Sequence, residues 1–142
     1  MITIIAGDRE CKDLKLVEEA VKASGFTITK VISGGAQGGD KLGEDWAKAN
    51  NIEFERKEAD WNDLTVEGAV IKTNKWKKKY NANAGFKRNS DMVEVAEAVI
   101  ALQPEGPTPG TQDTIKKATA KGIPVFIWPS DEKRTYKYYF QP

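Results

Sequence analysis

The five residues Ala98-Val99-Ile100-Ala101-Leu102 contain no polar side chain. A strand without a polar position has to be buried on both faces, and a parallel sheet covered by helices on either side provides that burial. Similar β-branched, apolar runs occur at Met1–Ala6 (MITIIA), Phe26–Ser33 (FTITKVIS) and Pro124–Trp128 (PVFIW), while Ile52–Arg56 alternates apolar with charged residues. Between them lie segments of helical spacing. Asp13–Ser24 places Leu14, Val17, Ala20 and Val21 on one face, with Gly25 as a natural stop. Asp40 is the expected N-cap of a helix reaching Asn50, with Leu42, Trp46 and Ala49 inward. Further helices are expected at Phe86–Val95 and Thr111–Lys121, the latter closed by Gly122. Strands and helices therefore alternate, and the fold class expected is α/β, doubly wound around a mostly parallel sheet.

With 142 residues this is one domain, with a core over about 2–128, a basic insertion or lid at 59–84 and an aromatic tail at 131–142. No apolar run approaches the roughly 18 residues of a membrane span, and no secretory leader is readable, so a cytoplasmic protein is expected. The single cysteine, Cys11, forms no internal disulfide, which fits a reducing compartment. There is no histidine. That removes the commonest metal ligand, the His-based nucleophile systems and the usual neutral-pH base. No metal site and no cofactor are expected.

Net charge is only +1, but it is unevenly spread. Residues 1–67 carry nine basic and fourteen acidic side chains, whereas 68–90 carry seven basic and none acidic. Such a stretch either favours an anionic partner or is a solvated loop balancing an acidic body. It has no clean periodicity, and its neighbourhood contains Trp61 and Trp76.

In open parallel sheets, ligands bind beyond the carboxyl ends of the strands. Three glycine-containing loops fall at such ends: Gly7-Asp8-Arg9, Ser33–Asp40 (SGGAQGGD) and Pro104–Thr111 (PEGPTPGT). The last two run directly into helices, whose free N–H groups and dipoles favour an anion. In the second loop Gly34, Gly35, Ala36, Gln37, Gly38 and Gly39 form the turn itself; it is neither a Walker A loop nor the usual dinucleotide fingerprint. Tight strand-to-helix packing is the alternative explanation of its glycines. In the third loop Thr108, Gly110 and Thr111 offer hydroxyls and an amide to a phosphate. Arg9 and Arg88 supply guanidinium forks suited to phosphate or carboxylate, although a surface ion pair would explain either.

The segments IIAGDRE, ISGGAQGGDKLGEDWAKANNI, NAGFKRNSDM and AVIALQPEGPTPGTQDTIKKATAKGIPVFIW together resemble the YspA/YpsA-related branch of the SLOG superfamily, over about residues 2–128. This implies a Rossmann-like three-layer domain that binds nucleotides or nucleotide-derived molecules. Gly7–Arg9 then matches the first ligand loop, Gly34–Asp40 the second, and Gly110–Thr111 the GT that opens the last helix. Arg88 with Met92 resembles the R-K-x-x-M segment of LOG-type phosphoribohydrolases, with Asn89 in place of the lysine. The catalytic glutamate of those enzymes falls on Thr114, and Asp113, one residue away, is turned by about 100° on a helix. The binding apparatus is kept and the recognised catalytic one is not.

The function expected is binding of a phosphate-bearing nucleotide-type molecule, with no residue assigned a catalytic role. The resemblance extends this to cyclic or ADP-ribose-type signals, sensed or sequestered. Two alternatives stand beside it. One is a nucleotide hydrolase using Asp8, Asp40 or Asp113. The other is a DprA-like binder of single-stranded nucleic acid through Lys72–Arg88. Self-association, with a dimer contact through Tyr136–Phe140, is also expected from the resemblance.

Overall fold

The computed structural model describes residues 1–7, 12–35, 39–66, 68–104 and 108–128. Five strands, β1 (Ile2–Gly7), β2 (Lys30–Ser33), β3 (Glu53–Arg56), β6 (Ala98–Leu102) and β7 (Val125–Trp128), form one sheet in the order β3-β2-β1-β6-β7. Every pairing in it is parallel. A separate antiparallel hairpin joins β4 (Ile71–Thr73) to β5 (Lys79–Asn81). The described residues also hold four helices: α1 (Leu14–Ser24), α2 (Gly39–Ala49), α3 (Ala84–Val95) and α4 (Pro109–Lys121).

Alternation along the central strands divides the core into two layers. Ile5, Val31, Ile100 and Leu102 pack under α1 and α2 with Val17, Ala20, Leu42 and Trp46. Ile4, Ile32, Val99 and Ala101 pack under α3 and α4 with Met92, Val93, Ile115 and Ala118. All five positions of β6 are buried, as its composition requires. Burial of Ile100 and Leu102 stabilises the fold by about 1.5–3 kcal/mol each.

Asp13 caps α1, its carboxylate accepting from the Lys15 N–H at 3.0 Å. Gly25 and Gly122 close α1 and α4 in the left-handed region. The expected strand over Phe26–Ser33 is shorter, beginning at Lys30. Asp40 is not an N-cap. The helix already includes Gly39, and Asp40 is buried in its first turn, because Gly39 and Gly7 let α2 start in direct backbone contact with β1. Likewise α3 starts at Ala84 and α4 at Pro109, each two residues before the expected start. The segment 59–84 contains the hairpin. Its strands are largely exposed to solvent, so no apolar period marks them. Among the described residues no helix is long and apolar enough to cross a membrane.

Candidate functional site

The strand order reverses at β1, which pairs with β2 on one side and β6 on the other. The crevice beyond the carboxyl ends of β1 and β6 is the place where open α/β sheets bind ligands. Gly7 and Leu102 are partners at that edge. Asp8, Arg9, Ala36, Gln37 and Gly38 lie outside the described residues, as does the tail 129–142 with its expected dimer contact.

Three distant parts of the chain meet at Arg88 and Asn89 on α3. Arg88 Nη1–H donates to the Gly34 carbonyl at 2.8 Å, and Arg88 Nε–H donates to Asn89 Oδ1 at 3.0 Å. The Asn89 amide donates to the Gly110 carbonyl at 3.2 Å and to Asp113 Oδ2 at 3.1 Å. The loop after β2, the middle of α3 and the first turn of α4 are thereby locked together. Asn89 is buried with both ends of its amide engaged, so it positions Arg88. Arg88 itself is half-buried and, among the described residues, has no carboxylate partner. Its two hydrogen-bond acceptors are neutral, and the Asp40 carboxylate stands across Gly34 from it without forming an ion pair within 4 Å.

Thr108 precedes α4 with extended backbone, and its hydroxyl donates to Thr111 Oγ1 at 3.0 Å. Thr111 is buried and Gly110 is exposed, with open space where a side chain would project. The Gly110 and Thr111 N–H groups belong to the first turn of α4, where intrahelical acceptors are lacking. Thr114, at the position of the hydrolases' glutamate, is buried with its hydroxyl on the Gly110 carbonyl at 3.4 Å. Asp113 is held by Lys117 at 2.7 Å.

The glycines divide by role. A Cβ on Gly39 would stand 2.4 Å from Gly7 Cα and N, and one on Gly43 would stand 2.9 Å from Ile5 Cβ. These serve the approach of α2 to β1, which is the packing explanation of the glycine pattern. Gly34 is flanked by Arg88 and Asp40, whose side-chain atoms lie 2.6 and 2.7 Å from a Cβ placed there. Gly35 has φ +77° and rests on the Arg56 stem.

An ion pair that no sequence pattern marks lies beneath this loop, its carboxylate buried and its guanidinium exposed. Glu44 on α2 is 4% exposed, and it accepts from Arg56 Nη2 at 2.6 Å, Arg56 Nε at 3.1 Å and the Ser33 hydroxyl at 2.6 Å. Ser33 Oγ in turn accepts from the Gly35 N–H at 3.0 Å. Ser33 is wholly buried and shapes the loop from below. Burial pushes the Glu44 carboxyl up, but the Arg56 and Ser33 hydrogen bonds outweigh it and hold the group below its ordinary 4.5. The lowered folded-state pKa gives stability that is fully present above about pH 4.5. It is lost as pH falls through the folded value. Glu44→Gln is therefore expected to flatten the acid side of the melting-temperature profile below about pH 4.5, with little change in slope above it.

A second missed residue is Gln103, directly after β6, whose backbone N–H donates to the Trp128 carbonyl at 2.7 Å. Strand alternation puts its side chain on the α3/α4 face. It is 2% exposed, and its Nε2 has no hydrogen-bond partner among the described residues. A buried amide left unpaired costs about 1–3 kcal/mol. A glutamine just before a proline carries no sequence signal that would have singled it out.

On the other side of Arg88, a cleft of about 270 Å³ lies between residues 58–66 and α3. Glu58, Asp60, Asp63 and Asp91 line it with Lys87 and Arg88. The Thr65 N–H and hydroxyl both donate to Asp63 and hold its carboxyl below the ordinary range. Trp61 lies against Gly85, one turn before Arg88. Of the two tryptophans near the basic stretch, Trp61 stands at the site and Trp76 at the tip of the hairpin.

A five-stranded parallel sheet with glycine loops gathered at its reversal point defines a Rossmann-like α/β protein. The chain belongs to the YspA, cpYpsA-related SLOG family, whose profile matches residues 1–63. It is 30% identical over 131 residues to the Gene 61 protein of Mycobacterium phage D29, covering 86% of this chain and 91% of that protein. Its fold is similar to that of DNA processing protein A (DprA) from Streptococcus pneumoniae, with a TM-score of 0.63 and 18% identity. That superposition covers 92% of this chain, which spans about half (51%) of the DprA chain.

Proposed function

We propose that the crevice at the β1/β6 reversal binds a phosphate-bearing nucleotide or nucleotide-derived small molecule. The observation that carries this is Arg88, a half-buried guanidinium oriented by two neutral acceptors and, among the described residues, in no ion pair within 4 Å, although the Asp40 carboxylate stands across Gly34 from it. It adjoins, through Asn89, the first turn of a 13-residue helix whose leading amides are open. Both features favour an anion at the same place. A phosphate there leaves the sugar and base to the neighbouring cleft. Its carboxylates suit sugar hydroxyls, as acidic residues do in dinucleotide sites, and Trp61 offers a stacking edge. Asp40 adds a buried carboxylate behind Gly34, and Gly7 keeps the floor of the crevice narrow. A cyclic or ADP-ribose-type signal, sensed or sequestered, falls within this ligand class.

Binding without turnover is favoured over hydrolysis by the state of Asp113 and Thr114. Asp113 is committed to Lys117 and Asn89, and Thr114 cannot serve as a carboxylate.

The test is native mass spectrometry of the purified protein with mono-, di- and cyclic nucleotides and ADP-ribose derivatives. A mass retained natively and released unchanged on denaturation supports a binder. A cleaved product would move the assignment to a hydrolase, and no adduct across the panel would remove the pocket. The orphaned Gln103 amide gives a second readout. Gln103→Met is expected to stabilise the ligand-free protein by about 1 kcal/mol, since it removes an unpaired buried donor. A simultaneous loss of affinity in that variant would place Gln103 among the ligand contacts.

A further inference from the structure

We infer that the β4–β5 hairpin is a docking surface for single-stranded nucleic acid, separate from the crevice around Arg88. The hairpin is a two-stranded sheet that does not join the central one. Its base is tied to the preceding segment by the Asn81 N–H on the Trp61 carbonyl at 2.7 Å, while the Ala82 N–H on the Val70 carbonyl, also at 2.7 Å, closes the hairpin itself. Within nine residues it carries Lys72, Lys75, Lys77, Lys78 and Lys79, all exposed.

None of these five lysines forms an ion pair among the described residues. Outside the hairpin, Lys30, Lys41, Arg56, Lys57, Lys87 and Lys117 each meet a carboxylate within 4 Å. Described lysines without one, such as Lys15, Lys22, Lys48 and Lys116, are not clustered in sequence as these five are. The hairpin is thus a concentrated positive field on a protein of net charge +1. At physiological salt, charges beyond about 8 Å are screened, so the local cluster and not the net charge governs a docking polymer.

The tip adds a stacking element. Trp76 is 75% exposed, with the Lys75 ammonium 4.4 Å from its ring centroid. Asn74 fixes the turn around it: its side-chain oxygen accepts from the Trp76 and Lys78 N–H groups at 2.9 and 3.0 Å, and its carbonyl accepts from the Lys77 N–H at 2.9 Å. A large apolar ring presented to water on a hydrogen-bonded turn, with lysines on both sides in sequence, matches an unstacked base flanked by phosphates. A duplex offers no free base face to Trp76, and an acidic peptide has no use for it.

Fluorescence anisotropy of a labelled oligothymidylate tests this on the full chain. Binding is expected to weaken roughly a hundredfold between 50 and 200 mM salt if all five lysines neutralise phosphates. The double variant Lys77→Gln/Lys78→Gln should reduce the steepness of the log–log salt plot by about 1.4. Trp76→Ala should weaken binding about tenfold at constant salt. Melting temperatures of these exposed-site variants should match that of the parent. Arg88→Ala, and saturation of the crevice with a ligand from the nucleotide panel, should leave oligothymidylate binding unchanged. The inference is overturned by absence of binding at low salt, by equal affinity for blunt duplex or for polyglutamate, or by indifference to the lysine and tryptophan changes. It is overturned equally if crevice ligands or Arg88→Ala abolish binding, which would assign the strand to the crevice.

Discussion

Arg88→Ala is expected to weaken the crevice ligand about a hundredfold, close to 3 kcal/mol, in a protein that still folds. A charge-assisted fork on phosphate is worth more than a neutral hydrogen bond because both partners are ionised and two N–H groups act together. Here the guanidinium is already oriented by the Gly34 carbonyl and Asn89 Oδ1, so little ordering is needed when the ligand arrives. Titration calorimetry with whichever nucleotide the mass spectrum retains reads the loss directly. Thermal shift gives an independent measure. At 100 times the parent Kd, ligand stabilises the parent by about 2.7 kcal/mol, and the same concentration should stabilise the variant by only about 0.4 kcal/mol. Arg88→Lys retains the charge but not the fork or the Nε bond to Asn89, and should recover only part of the affinity. Full recovery by lysine, or an unchanged Kd in the alanine variant, would exclude Arg88 as the phosphate contact.

The order of the elements was legible in the sequence because the central strands are buried on both faces. A run such as AVIAL has no other use in a chain of this size, and the glycines at 25 and 122 punctuate their helices as expected. The hairpin was not legible. Ile71-Lys72-Thr73 and Lys79-Tyr80-Asn81 are exposed or half-exposed apart from Asn81, so neither strand carries a period of two, and the turn depends on Asn74. Of the candidate site, the nearness of the Gly34 and Gly110 loops could be expected from helix starts at strand ends, whereas Arg88, inside α3, was singled out only as a guanidinium and by the resemblance. The groups beneath the loop could not. Glu44 and Arg56 are twelve residues apart on different elements, and each reads as an ordinary surface charge. Asn89, expected to face a ligand, is instead the clamp between α3 and α4, a role set by what α4 places opposite it. Ser33 similarly serves the loop and not its surface.

The same limit applies to the glycines, and it yields the largest stability effect expected in this chain. Gly39 and Gly110 look alike in the sequence, each opening a helix after a strand. Structurally they are opposites. A Cβ on Gly39 would lie 2.4 Å from both Cα and N of Gly7, and Gly7 is fixed in β1, the strand paired on both sides at the centre of the sheet. Backbone atoms there cannot yield as a flexible side chain does, so α2 must lift by roughly 1 Å to reach ordinary contact. That movement opens the layer in which Leu42, Trp46 and Ala47 pack on Ile5 and Val31. Gly39→Ala is accordingly expected to cost about 3 kcal/mol, and more for valine. For a 142-residue chain this is a fall of about 10 °C in melting temperature. Gly110 has nothing within 4 Å of its Cβ position, and alanine is the better helix former. Gly110→Ala should therefore hold or raise the melting temperature, by up to about 1 kcal/mol in stability. If its amide lies against the phosphate, however, the new methyl group should weaken the crevice ligand. Calorimetric melting of the two variants, with and without ligand, separates packing glycine from binding glycine. Equal melting temperatures for the two would mean that α2 does not rest on Gly7, and the crevice would then lose the floor on which Gly34 and Arg88 are arranged.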